Sequence, residues 1–326
     1  MKVTCHHCPR ECVLEEQQRG YCFTRRNIGG KITCTSFGRT TGLCIDPVEK
    51  KPLMHFYPGS RTLSFGSIGC NLGCLYCQNW YLSHAIDEQR LNVSISPEDI
   101  ASLAVKENCQ SVAYTYNEPI IWAEYAEATA AVCRERGIRN IAVTAGYISA
   151  ESRPSFFQNM DAVNIDLKGF SDVFYEKYCH AHLSPVLETI AWVKRETPCW
   201  LELTNLVIPR ANDDMLMIRR MCDWIVDQLG EEVPLHFSAF YPHHKLVDRL
   251  PTPFETLKKA YDIAHHAGLK YVYLGNVRAP AYESTWCPKC GQIVIGRDGY
   301  RITQDFVRDG FCEFCGAKIA GHFLAS

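Results

Sequence analysis

The sequence lacks the features typical of membrane proteins, secreted proteins and several common enzyme classes. No run of about 18 apolar residues occurs, so no transmembrane helix is expected. Residues 1–8 lack the apolar stretch of a secretory signal. The net charge is only −2, which gives no electrostatic basis for binding nucleic acid. No Walker A loop, His-Glu-x-x-His or Gly-x-Ser-x-Gly motif is present. We therefore expect a cytoplasmic protein with neither membrane nor nucleic-acid partners.

Cysteine, in contrast, is abundant, with 18 residues in a chain of 326. Because the cytosol keeps thiols reduced, so many cysteines indicate metal ligation or redox chemistry more than disulfide bonds. Their clustering near the two ends and in the middle predicts three segments. These are a Cys-rich N-terminal metal-binding segment (1–60), a barrel (61–280), and a C-terminal rubredoxin- or zinc-ribbon-like domain (281–326).

Apolar β-branched runs alternate with helical patterns in the middle segment, which predicts repeated strand–helix units of an α/β fold. Strands this apolar, separated by helices, indicate a parallel sheet covered on both faces. Six or seven units favour a full or partial (β/α) TIM-like barrel, in which functional residues collect at the C-terminal ends of the strands. An open doubly wound sheet is the alternative. The predicted strands are Thr62–Gly69, Ser111–Tyr116, Ile138–Thr144, Ala162–Leu167, Trp200–Ile208, Leu235–Phe240 and Lys270–Leu274. The predicted helices are Pro97–Glu107, Ile120–Arg136, Pro185–Lys194, Asp213–Leu229 and Pro253–Ala267.

Three cysteines, Cys70, Cys74 and Cys77, follow the first of these strands with the spacing Cys-x3-Cys-x2-Cys. Three neighbouring thiolates can hold three irons of a cubane 4Fe–4S cluster. A structural zinc site would need a fourth ligand, which is absent locally. The spacing therefore predicts a reactive metal centre with one open position. The alternative is that these thiols are unligated or pair with distant partners.

This triplet, with Tyr76 just before its last cysteine, resembles the signature of radical S-adenosylmethionine (SAM) enzymes. In that family SAM chelates the open iron of a 4Fe–4S cluster. One electron then cleaves SAM to methionine and a 5′-deoxyadenosyl radical, which abstracts hydrogen from the substrate. The resemblance implies a radical SAM barrel, a catalytic cysteine triplet, a 4Fe–4S cluster, SAM, and an electron donor such as flavodoxin or ferredoxin.

Further strand ends are similar to the segments with which this family binds SAM. Asn117-Glu118-Pro119 stands where a Gly-Gly-Glu-Pro-like segment is common, and Thr144-Ala145-Gly146 is similar to a Thr-Asn-Gly turn. Asp166-Leu167-Lys168 and Tyr241–Lys245 resemble segments of the pyruvate formate-lyase-activating branch. The cofactor-binding residues implied by the resemblance are Tyr76, Asn117, Glu118, Thr144, Asp166, Lys168 and His244.

Each of the charged candidates also has a simpler interpretation. Glu118 could be an acid at a helix N-terminus, where the helix dipole favours it. Asp166 and Lys168 could form an ion pair at a strand end, and His244 could be an ordinary surface histidine.

The C-terminal segment contains two Cys-x2-Cys-Gly knuckles, with 21 residues between Cys290 and Cys312. The glycines permit tight turns, and four thiolates close a metal site, so structural zinc is expected. Rubredoxin-type iron with an electron-transfer role is the alternative. The predicted ligands are Cys287, Cys290, Cys312 and Cys315.

The N-terminal segment offers four further candidate ligands: Cys5, Cys8, Cys12 and Cys22. Their spacing predicts a metal site but does not separate zinc from an auxiliary iron–sulfur cluster. The isolated cysteines elsewhere are interpreted as small buried hydrophobic residues.

Several segments together most closely resemble the radical enzyme of the AmmeMemoRadiSam system. They are Pro47–Leu53, Cys74–Trp80, Tyr114–Pro119, Gly275–Val277 and the N-terminal cysteines. That resemblance implies AMMECR-type and Memo-type partner proteins. The first hypothesis is thus a radical SAM enzyme that abstracts hydrogen from a small-molecule substrate. The alternatives are an activase that installs a glycyl radical on a partner protein, and a non-catalytic iron–sulfur or zinc protein that transfers electrons or acts as a scaffold.

Overall fold

The structure is a computed structural model that describes residues 1–84, 91 and 93–324. Residues 325 and 326 of the predicted C-terminal segment lie outside the described residues. Within these ranges, every helix is too short or too polar to cross a membrane.

The described residues form nineteen strands and nine α-helices. The strands are β1 (Val3–Thr4), β2 (Val13–Leu14), β3 (Arg25–Ile28), β4 (Lys31–Cys34), β5 (Arg39–Thr40), β6 (Leu43–Pro47), β7 (Arg61–Phe65), β8 (Val93–Ser94), β9 (Ser111–Tyr114), β10 (Arg139–Thr144), β11 (Ala162–Asp166), β12 (Trp200–Val207), β13 (Leu235–Ala239), β14 (Val272–Gly275), β15 (Thr285–Trp286), β16 (Ile293–Asp298), β17 (Arg301–Asp305), β18 (Val307–Arg308) and β19 (Phe311–Cys312). The helices are α1 (Trp80–Ser83), α2 (Pro97–Lys106), α3 (Ala123–Glu135), α4 (Arg153–Phe157), α5 (Asp172–Phe174), α6 (Ser184–Glu196), α7 (Met215–Leu229), α8 (Phe254–Ala267) and α9 (Pro280–Glu283).

The central sheet has eight strands in the order β14-β13-β12-β11-β10-β9-β7-β6. Strands β7 and β9 to β14 run parallel, and β6 pairs antiparallel with β7. The order follows the chain without reversal, and the edge strands β14 and β6 are not paired with each other in the described residues. The partial (β/α) barrel is therefore confirmed. The doubly wound alternative is wrong, because that fold requires a point where the strand order reverses.

All seven predicted strands and all five predicted helices are present, with ends shifted by a few residues. Ser96 caps α2 through its side-chain oxygen, which accepts the Asp99 N–H at 3.1 Å, and Pro97 occupies the first helical position. The predicted helix over 120–136 begins instead as a 3-10 turn, Pro119–Trp122, before α3. The main core lies between the sheet and helices α2, α3, α6, α7 and α8.

The two ends of the chain cover opposite edges of the sheet. The N-terminal hairpin β1–β2 reaches the loop after β10, where the Ser149 hydroxyl donates to the His6 carbonyl at 2.5 Å. The C-terminal strands pack where β14 begins, because Tyr271 and Tyr273 share a buried cluster with Cys287 and Val294. The predicted boundaries at 60 and 280 stay a prediction, and β6 shows that the sheet itself extends into residues 43–47.

Candidate functional site

The cysteine triplet lies on the loop that leaves β7, at the C-terminal edge of the parallel strands. Asn117, in the loop after β9, holds the start of this loop. Its side-chain oxygen accepts the Ser67 N–H at 2.9 Å and its amide donates to the Gly69 carbonyl at 2.9 Å. Gly69 has a φ of +82°, and a Cβ there would lie 2.0 Å from the Cys22 carbonyl oxygen. Asn117, predicted to bind cofactor, thus positions the triplet loop through these two bonds.

A fourth cysteine, Cys179, packs against the triplet, although the sequence alone predicts only an isolated buried thiol there. The Tyr76 hydroxyl lies 3.2 Å from Cys179 Sγ, so Tyr76 faces this cysteine. The Gly73 N–H donates to the Cys179 carbonyl at 2.8 Å, and the Cys179 thiol and burial together raise the pKa of Cys74. Nothing in the sequence signals this contact, because Cys179 stands alone in a π-helical turn about 100 residues away.

The spread of the triplet sulfurs tests which metal group they fit. Among described residues, one group of metal-binding side chains has all its ligand atoms within 4.8 Å of one another, and that group is at the C-terminus. Thiolates on one zinc ion would stand about 3.8 Å apart, given bonds of about 2.3 Å in a tetrahedron. The triplet sulfurs are more widely spread. As placed, they do not form a single-ion site, whereas three thiols on one loop could each bind a different iron of a cluster. The Leu72 N–H points to Cys70 Sγ at 3.4 Å.

Glu118 lies beside the triplet in the loop after β9 and is only 4% exposed. Its carboxylate accepts the Thr144 hydroxyl at 2.5 Å, the Ala145 N–H at 2.8 Å and the Ile120 N–H at 3.2 Å. The last bond caps the 3-10 turn, so the helix N-terminus interpretation describes one of its contacts. Burial raises the pKa of Glu118 to about 7. The structure thus brings together Glu118 and Thr144, from neighbouring strand ends.

Asp166 and Lys168 form the ion pair that the sequence allowed, with 2.8 Å between Lys168 Nζ and Asp166 Oδ2. The pair lies at the end of β11, and its ammonium faces the triplet, since Lys168 lowers the pKa of Cys74 against the larger effects that raise it. Burial opposes the charge on Lys168, but Asp166 and the nearby thiols raise its pKa well above the usual value. The site therefore combines a carboxylate, an ammonium and three thiols.

His244 lies in the loop after β13 and reaches the same edge. Its ring stacks on Trp80 and on His84, with 5.3 Å between ring centroids in both cases. The Lys245 N–H donates to the Leu75 carbonyl at 2.9 Å, which ties this loop to the triplet loop. His244 is thus half-buried and stacked on two rings, and its contact with a cofactor stays a prediction.

The C-terminal knuckles form a separate site. Cys287 and Cys315 sulfurs lie 3.6 Å apart and those of Cys290 and Cys312 lie 3.8 Å apart, which is the spacing of a tetrahedral site. The glycine after each knuckle has a φ of +68°. Burial acts to raise the pKa of Cys287, but hydrogen bonds from the N–H groups of Cys290 and Lys289 outweigh this effect and lower the pKa to about 7. The four side chains could hold one metal ion.

Comparison with known proteins gives one family match. The model of the radical SAM superfamily matches residues 66–222, which include the triplet and strands β9 to β12. The chain is 43% identical over 320 residues to the uncharacterized protein MJ0808 of Methanocaldococcus jannaschii, a match that covers 98% of this chain and 95% of the relative.

Two more distant similarities concern parts of the chain. It is 24% identical over 116 residues to the (2S)-3-sulfopropanediol dehydratase activating enzyme of Klebsiella oxytoca, which covers 36% of each protein. A radical SAM methyltransferase from Sphaerobacter thermophilus superposes with a TM-score of 0.53 at 13% identity, over 73% of this chain and 71% of that one. At 13% identity, this similarity shows a shared fold and nothing about activity.

Proposed function

The chain belongs to the radical SAM superfamily, and we propose that it is an enzyme that cleaves SAM at a 4Fe–4S cluster held by Cys70, Cys74 and Cys77. When bound, this pair of cofactors supplies a 5′-deoxyadenosyl radical that abstracts hydrogen from the substrate. The substrate class proposed is a small molecule, which would enter at the C-terminal edge of the barrel.

The observation that supports this proposal is the meeting of the triplet, Glu118 and the Asp166–Lys168 pair at neighbouring strand ends. Glu118 keeps an oxygen, Oε2, with one described donor, the Ala145 N–H. It is therefore able to accept a bond from the amino group of SAM, in the role that the family resemblance implies. Lys168 places a positive charge where a carboxylate group could bind. Thr144 orients the Glu118 carboxylate through its hydroxyl.

The water-poor surroundings of the triplet support radical chemistry for a physical reason. Cys74 and Tyr76 are buried, and Tyr178, Cys179 and Phe174 pack around them. A reactive carbon radical is protected from side reactions when the site excludes solvent.

The test is anaerobic reconstitution of the full chain with iron and sulfide, followed by dithionite and SAM, with 5′-deoxyadenosine measured by mass spectrometry. The wild type should release it and Cys74→Ala should not. Cys44→Ser, at an exposed cysteine outside every cluster, is the matched control and should behave as wild type. Absence of 5′-deoxyadenosine from the iron-loaded wild type would leave the non-catalytic alternative.

A glycyl-radical activase is the second candidate, and the partial similarity to the K. oxytoca activating enzyme favours it. It predicts a glycyl-radical doublet in the electron paramagnetic resonance (EPR) spectrum of a partner protein mixed with the reduced enzyme and SAM. An electron donor of the flavodoxin or ferredoxin class is needed under either candidate. The AMMECR-type and Memo-type partners stay a prediction, as does the location in the cytoplasm.

A further inference from the structure

The four N-terminal cysteines, which the proposed function does not use, surround one pocket. Cys5 and Cys12 face each other across the base of a hairpin, where the Cys5 N–H donates to the Cys12 carbonyl at 2.9 Å. A Cβ built on Gly20 would lie 3.7 Å from Cys12 Sγ and 3.8 Å from Cys22 Sγ, so these sulfurs converge. Cys8 lines the same pocket. Residues separated by up to 17 positions thus present four thiols to one space.

A buried positive charge faces this pocket. Arg25 lines it, is 2% exposed and forms a two-pronged ion pair with Glu124, with both N–O distances at 2.8 Å. The Arg25 guanidinium interacts electrostatically with both Cys5 and Cys22, so it lies close to these two thiols.

The spread of the four sulfurs argues against a single ion. Cys287, Cys290, Cys312 and Cys315 lie within 4.8 Å of one another, whereas Cys5, Cys8, Cys12 and Cys22, all in the described part of the chain, do not form such a group. In this respect the N-terminal group resembles the triplet. Thiolates on separate irons of a cluster stand farther apart than thiolates on one ion, because each has its own metal centre.

The N-terminal pocket adjoins the triplet loop directly. The Arg10 guanidinium donates to the Asn71 carbonyl at 2.5 Å, and the Asn71 side chain contacts the Cys8 thiol. The Thr24 hydroxyl donates to the Ile68 carbonyl at 2.9 Å. Asn71 directly follows Cys70 in the chain and also contacts Cys8. One residue therefore lies between the N-terminal cysteines and the triplet.

We propose that Cys5, Cys8, Cys12 and Cys22 ligate a second iron–sulfur cluster, of the 4Fe–4S class, packed against the loop of the triplet. This goes beyond the proposed function and rests on it only for the identity of the neighbouring centre. All four corners of this second cluster would have a cysteine, unlike the triplet's cluster, which keeps one open corner.

The test is an iron, sulfide, zinc and Mössbauer analysis of the full chain after anaerobic reconstitution. We expect about eight irons per wild-type chain and about four in the variant with Cys70→Ala, Cys74→Ala and Cys77→Ala, since each cubane holds four. The variant with Cys8→Ala and Cys22→Ala should also bind about four. When both clusters are reduced, their spins should interact and broaden the wild-type EPR signal relative to that of either variant. Cys44→Ser is the control.

The triplet variant keeps the N-terminal site intact, so it decides the question even where the N-terminal variant fails to fold. A triplet variant without iron would overturn the proposal. So would a second zinc atom that is present in the wild type and lost with Cys8→Ala and Cys22→Ala. In contrast, about four irons in the triplet variant together with no 5′-deoxyadenosine from the wild type would remove the proposed function and leave the second cluster standing.

Discussion

The two edges of the parallel sheet carry different kinds of chemistry. The C-terminal edge holds the cysteine triplet, buried Glu118 and the Asp166–Lys168 pair, all on loops braced by one another. The opposite edge, where the parallel strands begin, is covered by the segment that carries the cysteine knuckles. There the two ring nitrogens of His55 hydrogen-bond to the Ala320 carbonyl and the Tyr273 hydroxyl, at 2.6 Å each. The C-terminal edge thus carries thiols and charged groups suited to chemistry, whereas the polar groups at the N-terminal edge form hydrogen bonds with one another.

The two candidate metal sites differ in whether the groups around them come from the same segment of the chain or from distant residues. The knuckles are self-contained, because their own backbone N–H groups face the sulfurs and their ligands lie at single-ion spacing. The triplet depends on Asn117, Cys179 and other residues distant in the chain. A self-contained site suits a structural role, whereas a site assembled from several strand ends suits catalysis.

The largest expected effect is on 5′-deoxyadenosine release, which should depend on the cysteine triplet and not on the C-terminal knuckles. Cys74→Ala should lower 5′-deoxyadenosine release by about 1000-fold or more, because it removes one of the three proposed iron ligands. Cys290→Ala should remove the C-terminal metal, which elemental analysis would register as a loss of about one zinc per chain, yet leave release within about twofold of wild type. A large loss of release with Cys290→Ala would break the comparison and favour an electron-transfer role for the knuckles.

A second prediction concerns the anchor of the N-terminal edge. Arg297 is fully buried, donates to the Met54 carbonyl at 2.7 Å and faces buried Glu49 at 3.8 Å. Arg297→Met should cost about 3–5 kcal/mol of unfolding free energy, because it leaves a buried acid without its charge partner. Anaerobic urea unfolding measures this cost. The control Arg301→Met, at an arginine 77% exposed, should change the free energy by less than about 1 kcal/mol.

A third prediction uses pH at the C-terminal edge. Burial raises the pKa of Glu118 from 4.5 to about 7. Its contribution to stability is present below pH 4.5, where both states are protonated, and is lost as pH rises to about 7, because the unfolded state ionises first. Wild type should therefore lose about 3 kcal/mol of unfolding free energy relative to Glu118→Gln over this range.

Urea unfolding without added SAM at several pH values measures that difference, and the exposed Glu98→Gln should show no such trend. A difference between wild type and Glu118→Gln that stays constant with pH would mean that the Glu118 carboxyl ionises normally.

The smallest expected effect is at His244. His244→Ala removes a ring stacked between Trp80 and His84 and should raise the KM for SAM a few-fold, about 1 kcal/mol, with little change in kcat. The exposed His266→Ala is the control. An unchanged KM would show that the stacked rings only support the loop.

Much of the fold could be predicted because its signals are local. The apolar runs and the cap at Ser96 are read from neighbouring residues, and the seven strands and five helices followed from them. The candidate site was partly accessible for the same reason, since parallel strands carry their C-terminal ends to one edge and the motifs follow those ends. Asn117 was predicted as a cofactor contact, but its hydrogen bonds to Ser67 and Gly69 could not be predicted from spacing.

By itself, the sequence determined the cysteine groups, the order of strands and helices, and the resemblance to radical SAM enzymes, because each rests on residues close together in the chain. Only the tertiary structure decided that Cys179 packs against the triplet, that the N-terminal cysteines adjoin it, and that the knuckles lie at the opposite edge of the sheet. These contacts join residues roughly 60 to 250 positions apart. They depend on how the sheet is covered at its two edges, which no local pattern encodes.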